Sequence, residues 1–193
     1  MNLPQNNLKF IPIVLEGPYK FFDENWIMIL NHKSIEKAGI YFWTININEE
    51  HLINYIGISS KCIKDRLIQH IKNFLSGDYD IYETADLEKG KMTKKYVPDE
   101  DYTKYLMCID SNLSSVLGNL RTFNLFFASV NESKNILELI ESEIISRIRE
   151  SNGQAKSLLS NYRLSRISSG KLDIEINFSS KSSILGLPDK IYL

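Results

Sequence analysis

Residues 39–70 read GIYFWTININEEHLINYIGISSKCIKDRLIQH. Gly39 to Asn46 and Leu52 to Ile58 are rich in β-branched and aromatic residues, and a polar turn, Asn48-Glu49-Glu50-His51, lies between them. That pattern predicts an antiparallel hairpin. Its runs are apolar without interruption, which predicts burial on both faces. Gly57 inside the second run marks a close approach to the backbone. Ser59-Ser60 supplies an N-cap for a helix over 61–75, where Ile63, Leu67, Ile71, Phe74 and Leu75 recur at helical spacing. Arg66 and His70 are four apart on that helix, so they point the same way, beside the apolar stripe.

Outward from the hairpin, 8–15 (LKFIPIVL) is a short apolar run. Pro12 cannot donate to a ladder, so an edge strand or an extended arm is expected. Residues 77–119 carry dense charge of mixed sign and read as an insertion with short strands near 79–83 and 94–98. Asp99-Glu100-Asp101 would cap its first helix, and a second would cover 111–117. A strand over 120–130 leads to a helix over 133–150. Leu137, Ile140, Ile144 and Ile148 form the core face of that helix. Glu141 falls inside the apolar sector, whereas Glu138 and Glu143 fall outside it. A carboxylate among core residues is costly unless it meets a cation, a metal or a donor. Residues 155–171 are basic, with Lys156, Arg163, Arg166 and Lys171, and 172–178 alternate as a half-buried strand.

The chain of 193 residues is read as one domain over 1–193, with a core at about 38–165 and the insertion at about 77–119. It has no apolar run long enough for a membrane span and no secretory signal, so a cytoplasmic protein without a membrane partner is expected. Cys62 and Cys108 form no CxxC, and three scattered histidines offer no zinc spacing. Net charge is −1, so an anionic partner would have to be held by a local patch. There is no GxSxG frame and no Walker lysine. One carboxylate, one arginine and tyrosine hydroxyls suit another task. The carboxylate can hold a hydrated divalent metal. The arginine can neutralise charge on a phosphoryl group. A tyrosine hydroxyl near a cation can accept a proton.

These residues carry a resemblance. GIY at 39–41 and YIG at 55–57, followed by Arg66, His70 and Glu141 in that order, resemble the motifs of the GIY-YIG nuclease family. The resemblance spans roughly 38–161. It implies a small α+β domain with a three-stranded antiparallel sheet flanked by helices, here with an insertion and terminal extensions. It also implies a metal-dependent endonuclease that hydrolyses phosphodiester bonds of DNA, with Mg²⁺ or Mn²⁺ as cofactor. By the same resemblance Tyr41 is the general base or positions the water. Tyr55 hydrogen-bonds the phosphate or the water, Arg66 stabilises its charge, His70 assists Tyr41, and Glu141 binds the metal. Gly57, Lys61, Asn161 and Arg163 are the candidate substrate-binding residues. The family closes its motifs with an asparagine. Asn161, in SLLSN, is preferred here, and Asn152 is the alternative. Many members have a lysine directly after YIG, where this chain has Ile58, with Lys61 the nearest substitute. A non-catalytic nucleic-acid-binding module on the same fold is the second reading. An enzyme with one such site that cuts both strands would act as a homodimer.

Overall fold

The structure is a computed structural model that describes residues 8–21, 27–98, 102–151, 153–161 and 172–193. In chain order the elements are β1 (Lys9–Lys20), α1 (Ile27–Leu30), a 3-10 turn (Lys33–Glu36), β2 (Gly39–Ile47), β3 (Glu50–Ser59) and α2 (Ile63–Leu75). The insertion contributes β4 (Ile81–Tyr82), α3 (Thr84–Leu87), β5 (Lys94–Tyr96), α4 (Thr103–Met107) and α5 (Ile109–Thr122). The chain closes with β6 (Phe123–Ser129), α6 (Lys134–Glu150), α7 (Gln154–Leu158), β7 (Ile174–Ser180), β8 (Ile184–Leu185) and β9 (Lys190–Tyr192). No helix among the described residues is long and apolar enough to cross a membrane.

The expectation of a small three-stranded antiparallel sheet is corrected. Among the described residues the strands form a seven-stranded sheet in the order β8-β3-β2-β6-β1-β7-β9, and β4 pairs with β5 apart from it. The large sheet is mixed: β1 runs parallel to β7, and β3 runs parallel to β8. The terminal segments cause the difference, because β1, β7, β8 and β9 extend the antiparallel trio β3-β2-β6 on both sides. The expected edge strand or arm at 8–15 is likewise an interior element, between β6 and β7. Its two halves have different partners. Lys9 to Leu15 register against β7, and Glu16 to Lys20 register against β6. Pro12 therefore lies in the half that registers with one neighbour only, where a missing donor is tolerated.

Alternation along β2 divides the core. Tyr41, Trp43 and Ile45 face one apolar cluster with Ile63, Leu67 and Phe74 of α2. Ile40 and Phe42 face a second with Leu137, Ile140, Ile144 and Ile148 of α6. The two helices that carry candidate site residues thus cover opposite faces of the sheet.

A one-residue irregularity in β3 decides where Tyr55 points. Trp43 registers with Tyr55, but Thr44 registers with Ile53, so Asn54 is extra. Leu52 and Tyr55 pack with the α2 cluster, and Ile53 and Ile56 with the α6 cluster. In an unbroken strand Tyr55, three residues after Leu52, would face the opposite side. The bulge at Asn54 returns it to the face of Tyr41. The carbonyl and the side-chain amide of the extra residue find partners. Asn54 O accepts from Ser160 N at 2.7 Å, and the Asn54 side chain donates to Leu158 O at 2.6 Å.

Candidate active site

Tyr41 is fully buried on β2, directly across from Gly57. Its hydroxyl lies 2.7 Å from His70 Nε2, and His70 Nδ1 lies 2.8 Å from the hydroxyl of Tyr79. The sequence pattern places His70 beside the apolar stripe, but it is inside the core. Its 2% exposure compares with 41% for Leu75, an expected core residue. The imidazole sits among rings, with Trp43 at 4.9 Å and Tyr55 at 5.2 Å between centroids. Their edges and faces accommodate a histidine whose two nitrogens are both hydrogen-bonded.

Arg66 lies one turn earlier on α2 and is exposed. Its guanidinium acts electrostatically on Tyr41, Tyr55, His70 and Glu141. It lines a hollow of about 440 Å³ together with Tyr55, Lys61, Lys134, Glu138 and Glu141. Lys61 is exposed in the turn that enters α2. The N-cap of that helix is Cys62 rather than Ser59 or Ser60. Ser59 instead holds the turn closed, its Oγ accepting from Cys62 N at 3.0 Å.

Glu141 reaches this hollow from the other face of the sheet. Beyond Leu52, where the register with β8 ends, β3 is the sheet's margin, so α6 can pass a side chain around it. Glu141 is half-buried and pairs with no lysine or arginine by direct contact among the described residues. Glu138 is near it and lines the same hollow, with Lys134 at 3.3 Å. The helical pattern places Glu138 outside the apolar sector and does not single it out for the site. Its position three residues before Glu141 on the same helix is the signal that could have included it.

The electrostatics follow from burial. Desolvation, then the neighbouring Tyr55, hold the Tyr41 hydroxyl protonated well above its ordinary range, and Arg66 opposes them. Tyr55 is raised to about 12 by burial and by Glu141, again against Arg66. Burial, with Arg66 second, lowers His70 to about 3, so the ring is neutral. Burial and then Glu138 raise Glu141 to about 7.

The remaining candidates fall as follows. Gly57 accommodates the Tyr41 ring: a β-carbon there would lie 2.3 Å from Tyr41 Cζ. Asn161 lies along the margin of β3. Its Oδ1 accepts from Ile56 N and its Nδ2 donates to Ile56 O, each at 2.9 Å, so its amide replaces a missing strand. Arg163, Asn152 and most of the basic stretch 155–171 lie outside the described residues, as does the expected cap Asp99-Glu100-Asp101. Tyr79, which sequence reasoning did not single out, comes from the start of the insertion. In sequence nothing distinguishes it from the chain's other tyrosines.

No family model, curated protein or solved structure matches this chain. Its chemistry is therefore argued from its own residues.

Those residues can be tested against the divalent metal that the motif resemblance implies. Among the described residues no three His, Cys, Asp or Glu side chains gather into a closed metal cage. Mg²⁺ needs no such cage, since it binds through one or two carboxylates and keeps several waters. Glu141 supplies a hard oxygen ligand, and a cation beside it would favour the ionised carboxylate that burial disfavours. The donor chemistry fits.

Proposed function

We propose that this chain is a metal-dependent DNA endonuclease that hydrolyses phosphodiester bonds through a GIY-YIG-type site. The observation that carries the reading is the meeting of two faces of the sheet. The Tyr41–His70 pair and Arg66 come from one side and Glu141 from the other, all against Tyr55. The proposal rests on these side chains and not on a match of fold.

Each residue takes the part that the resemblance implies, and the surroundings of Arg66, Lys61 and Tyr55 support theirs. Arg66 and Lys61 in the open hollow hold the phosphate, with Arg66 placed to neutralise charge as the phosphorane-like transition state forms. Tyr55, held protonated, donates to a phosphate oxygen. Tyr41 is also protonated at rest, so it takes a proton from the attacking water only as it passes its own to His70. That relay needs the tautomer with the proton on Nδ1, which donates to Tyr79 and leaves Nε2 to accept from Tyr41. The phosphate's negative charge offsets Arg66, and so strengthens the imidazole as a base when DNA is bound. Glu141, with Glu138 beside it, would hold the Mg²⁺ or Mn²⁺. When bound, the ion supplies Lewis-acid stabilisation of the phosphoryl and leaving oxygens. Asn161 keeps the margin of β3 in place beneath Tyr55.

Incubation of the purified chain with supercoiled plasmid tests this. Nicked or linear DNA is expected with Mg²⁺ or Mn²⁺, and intact plasmid with chelator. Binding without any cleavage across metals and DNA forms would leave the non-catalytic alternative.

A further inference from the structure

Tyr55 and Glu141 stand between two hollows of contrasting chemistry. On one side is the hollow with Arg66, Lys61 and Lys134. On the other is a cavity of about 460 Å³, a volume within the range of small-molecule sites. Its walls are aromatic, formed chiefly by Trp43, Phe74, Tyr79, Tyr82 and Phe123. Neither lysine nor arginine lines it among the described residues, while Asp78, Asp80 and Glu141 do. The imidazole on its wall, His70, is neutral.

Among the described residues a phosphate therefore meets no cation in the lining of this cavity and meets three next door. What suits the cavity is a flat, uncharged ring with polar edges. Its floor includes Asn54, which is 2% exposed. The Asn54 Nδ2 is engaged by Leu158 O, and its Oδ1 is an acceptor on that floor.

We propose that this cavity receives one unstacked nucleobase of the DNA whose phosphate is held by Arg66 on the other side of Tyr55. The inference rests on the nuclease reading. Aromatic faces stack on any base, which gives affinity without sequence information. The carboxylate of Asp78 and the Asn54 Oδ1 are acceptors, which favours bases that carry exocyclic amino groups over thymine. A base that is already unpaired enters at the lowest cost, so flaps, mismatches and single strands are favoured over intact duplex.

Saturation-transfer NMR on the full chain, with deoxycytidine, deoxyadenosine, thymidine and 2-deoxyribose as probes, tests the cavity without reference to cleavage. Saturation of the base protons of deoxycytidine and deoxyadenosine is expected, several-fold above thymidine, with none on the baseless sugar. Ser160→Trp, which fills the cavity from one rim, should reduce the signal at least tenfold. Asp78→Trp, from another part of the lining, replaces it if near-UV circular dichroism shows the first variant misfolded. Absence of base saturation, or equal saturation in the folded variant, overturns the proposal. Plasmid cleavage by the same preparations separates the two readings. Cleavage without base binding sinks only the cavity's role, and base binding without cleavage sinks the nuclease.

Discussion

Gly57 and Tyr41 face each other across β2 and β3, and the phenol lies where any larger side chain at 57 would have to be. The glycine of the YIG triplet is thereby tied to the tyrosine of the GIY triplet by packing. Gly57→Ala would force a β-carbon to 2.3 Å from Cζ and 2.4 Å from the hydroxyl oxygen. Either the ring or the strand must move, at a cost of about 1–3 kcal/mol for overpacking. Loss of cleavage beyond what the stability change explains is expected, read from chemical denaturation and plasmid nicking on one preparation. Unchanged activity would show that the Tyr41 hydroxyl need not be where it is.

The pH dependence follows from Glu141. Its folded value of about 7 lies above the ordinary 4.5, so the folded chain retains a proton that the unfolded chain has released. The stabilising contribution is full below about pH 4.5 and is lost as pH rises through about 7. Glu141→Gln should therefore stabilise the metal-free protein at pH 8, by on the order of 1–3 kcal/mol. Mg²⁺ should raise the melting temperature of the parent at pH 8 more than at pH 6, since the ligand must be ionised, and should not raise that of the variant. Thermal denaturation in chelator and in Mg²⁺ checks both signs.

In the proposed relay Tyr79 is a positioning residue, since it acts through its contact with His70. Tyr79→Phe should free His70 Nδ1 and allow the tautomer with the proton on Nε2, which cannot accept from Tyr41. A fall in the maximal rate of about 10- to 100-fold, within the range of general acid–base effects, is expected with little change in DNA affinity. Its alkaline limb should also shift. A variant with unaltered rate and pH profile would remove Tyr79 from the relay.

Asn161 contributes through the backbone of Ile56. Asn161→Ala leaves that N–H and C=O without their present partners, at a cost of about 1–3 kcal/mol. Amide hydrogen exchange at Ile56 should accelerate while that of Ile53, in the interior of β3, stays slow. Slow exchange at both positions would show that the amide pair does not hold the margin of β3.

Much of the site was legible because its signals are local. The hairpin, α2 and α6 announce themselves by periodicity, and Glu141 by a charge in an apolar sector. Partners were not legible, since alternation tells which face a strand buries but not which strand lies beside it. Hence Pro12 points to an edge strand, and the three-stranded sheet is what the resemblance implies rather than what the strands themselves announce. Asn54 looked like an ordinary member of an apolar run, although its polarity was the one sign of the bulge that orients Tyr55. The helix expected at 111–117 continues to Thr122, because Leu120 packs in the same cluster as Val116 before the strand begins. Tyr79 joins the site across the turn that ends α2, nine residues after His70, a contact that helical periodicity does not encode.

The central claim is that Glu141 brings the metal to a hydrolytic site. Cleavage of one DNA substrate by the parent and by Glu141→Gln, at equal protein and in saturating Mg²⁺, tests it most directly. Loss of the ion's transition-state stabilisation, several kcal/mol, predicts a fall of at least about 10³-fold in rate while the variant remains folded. Equal cleavage by the two proteins would contradict it.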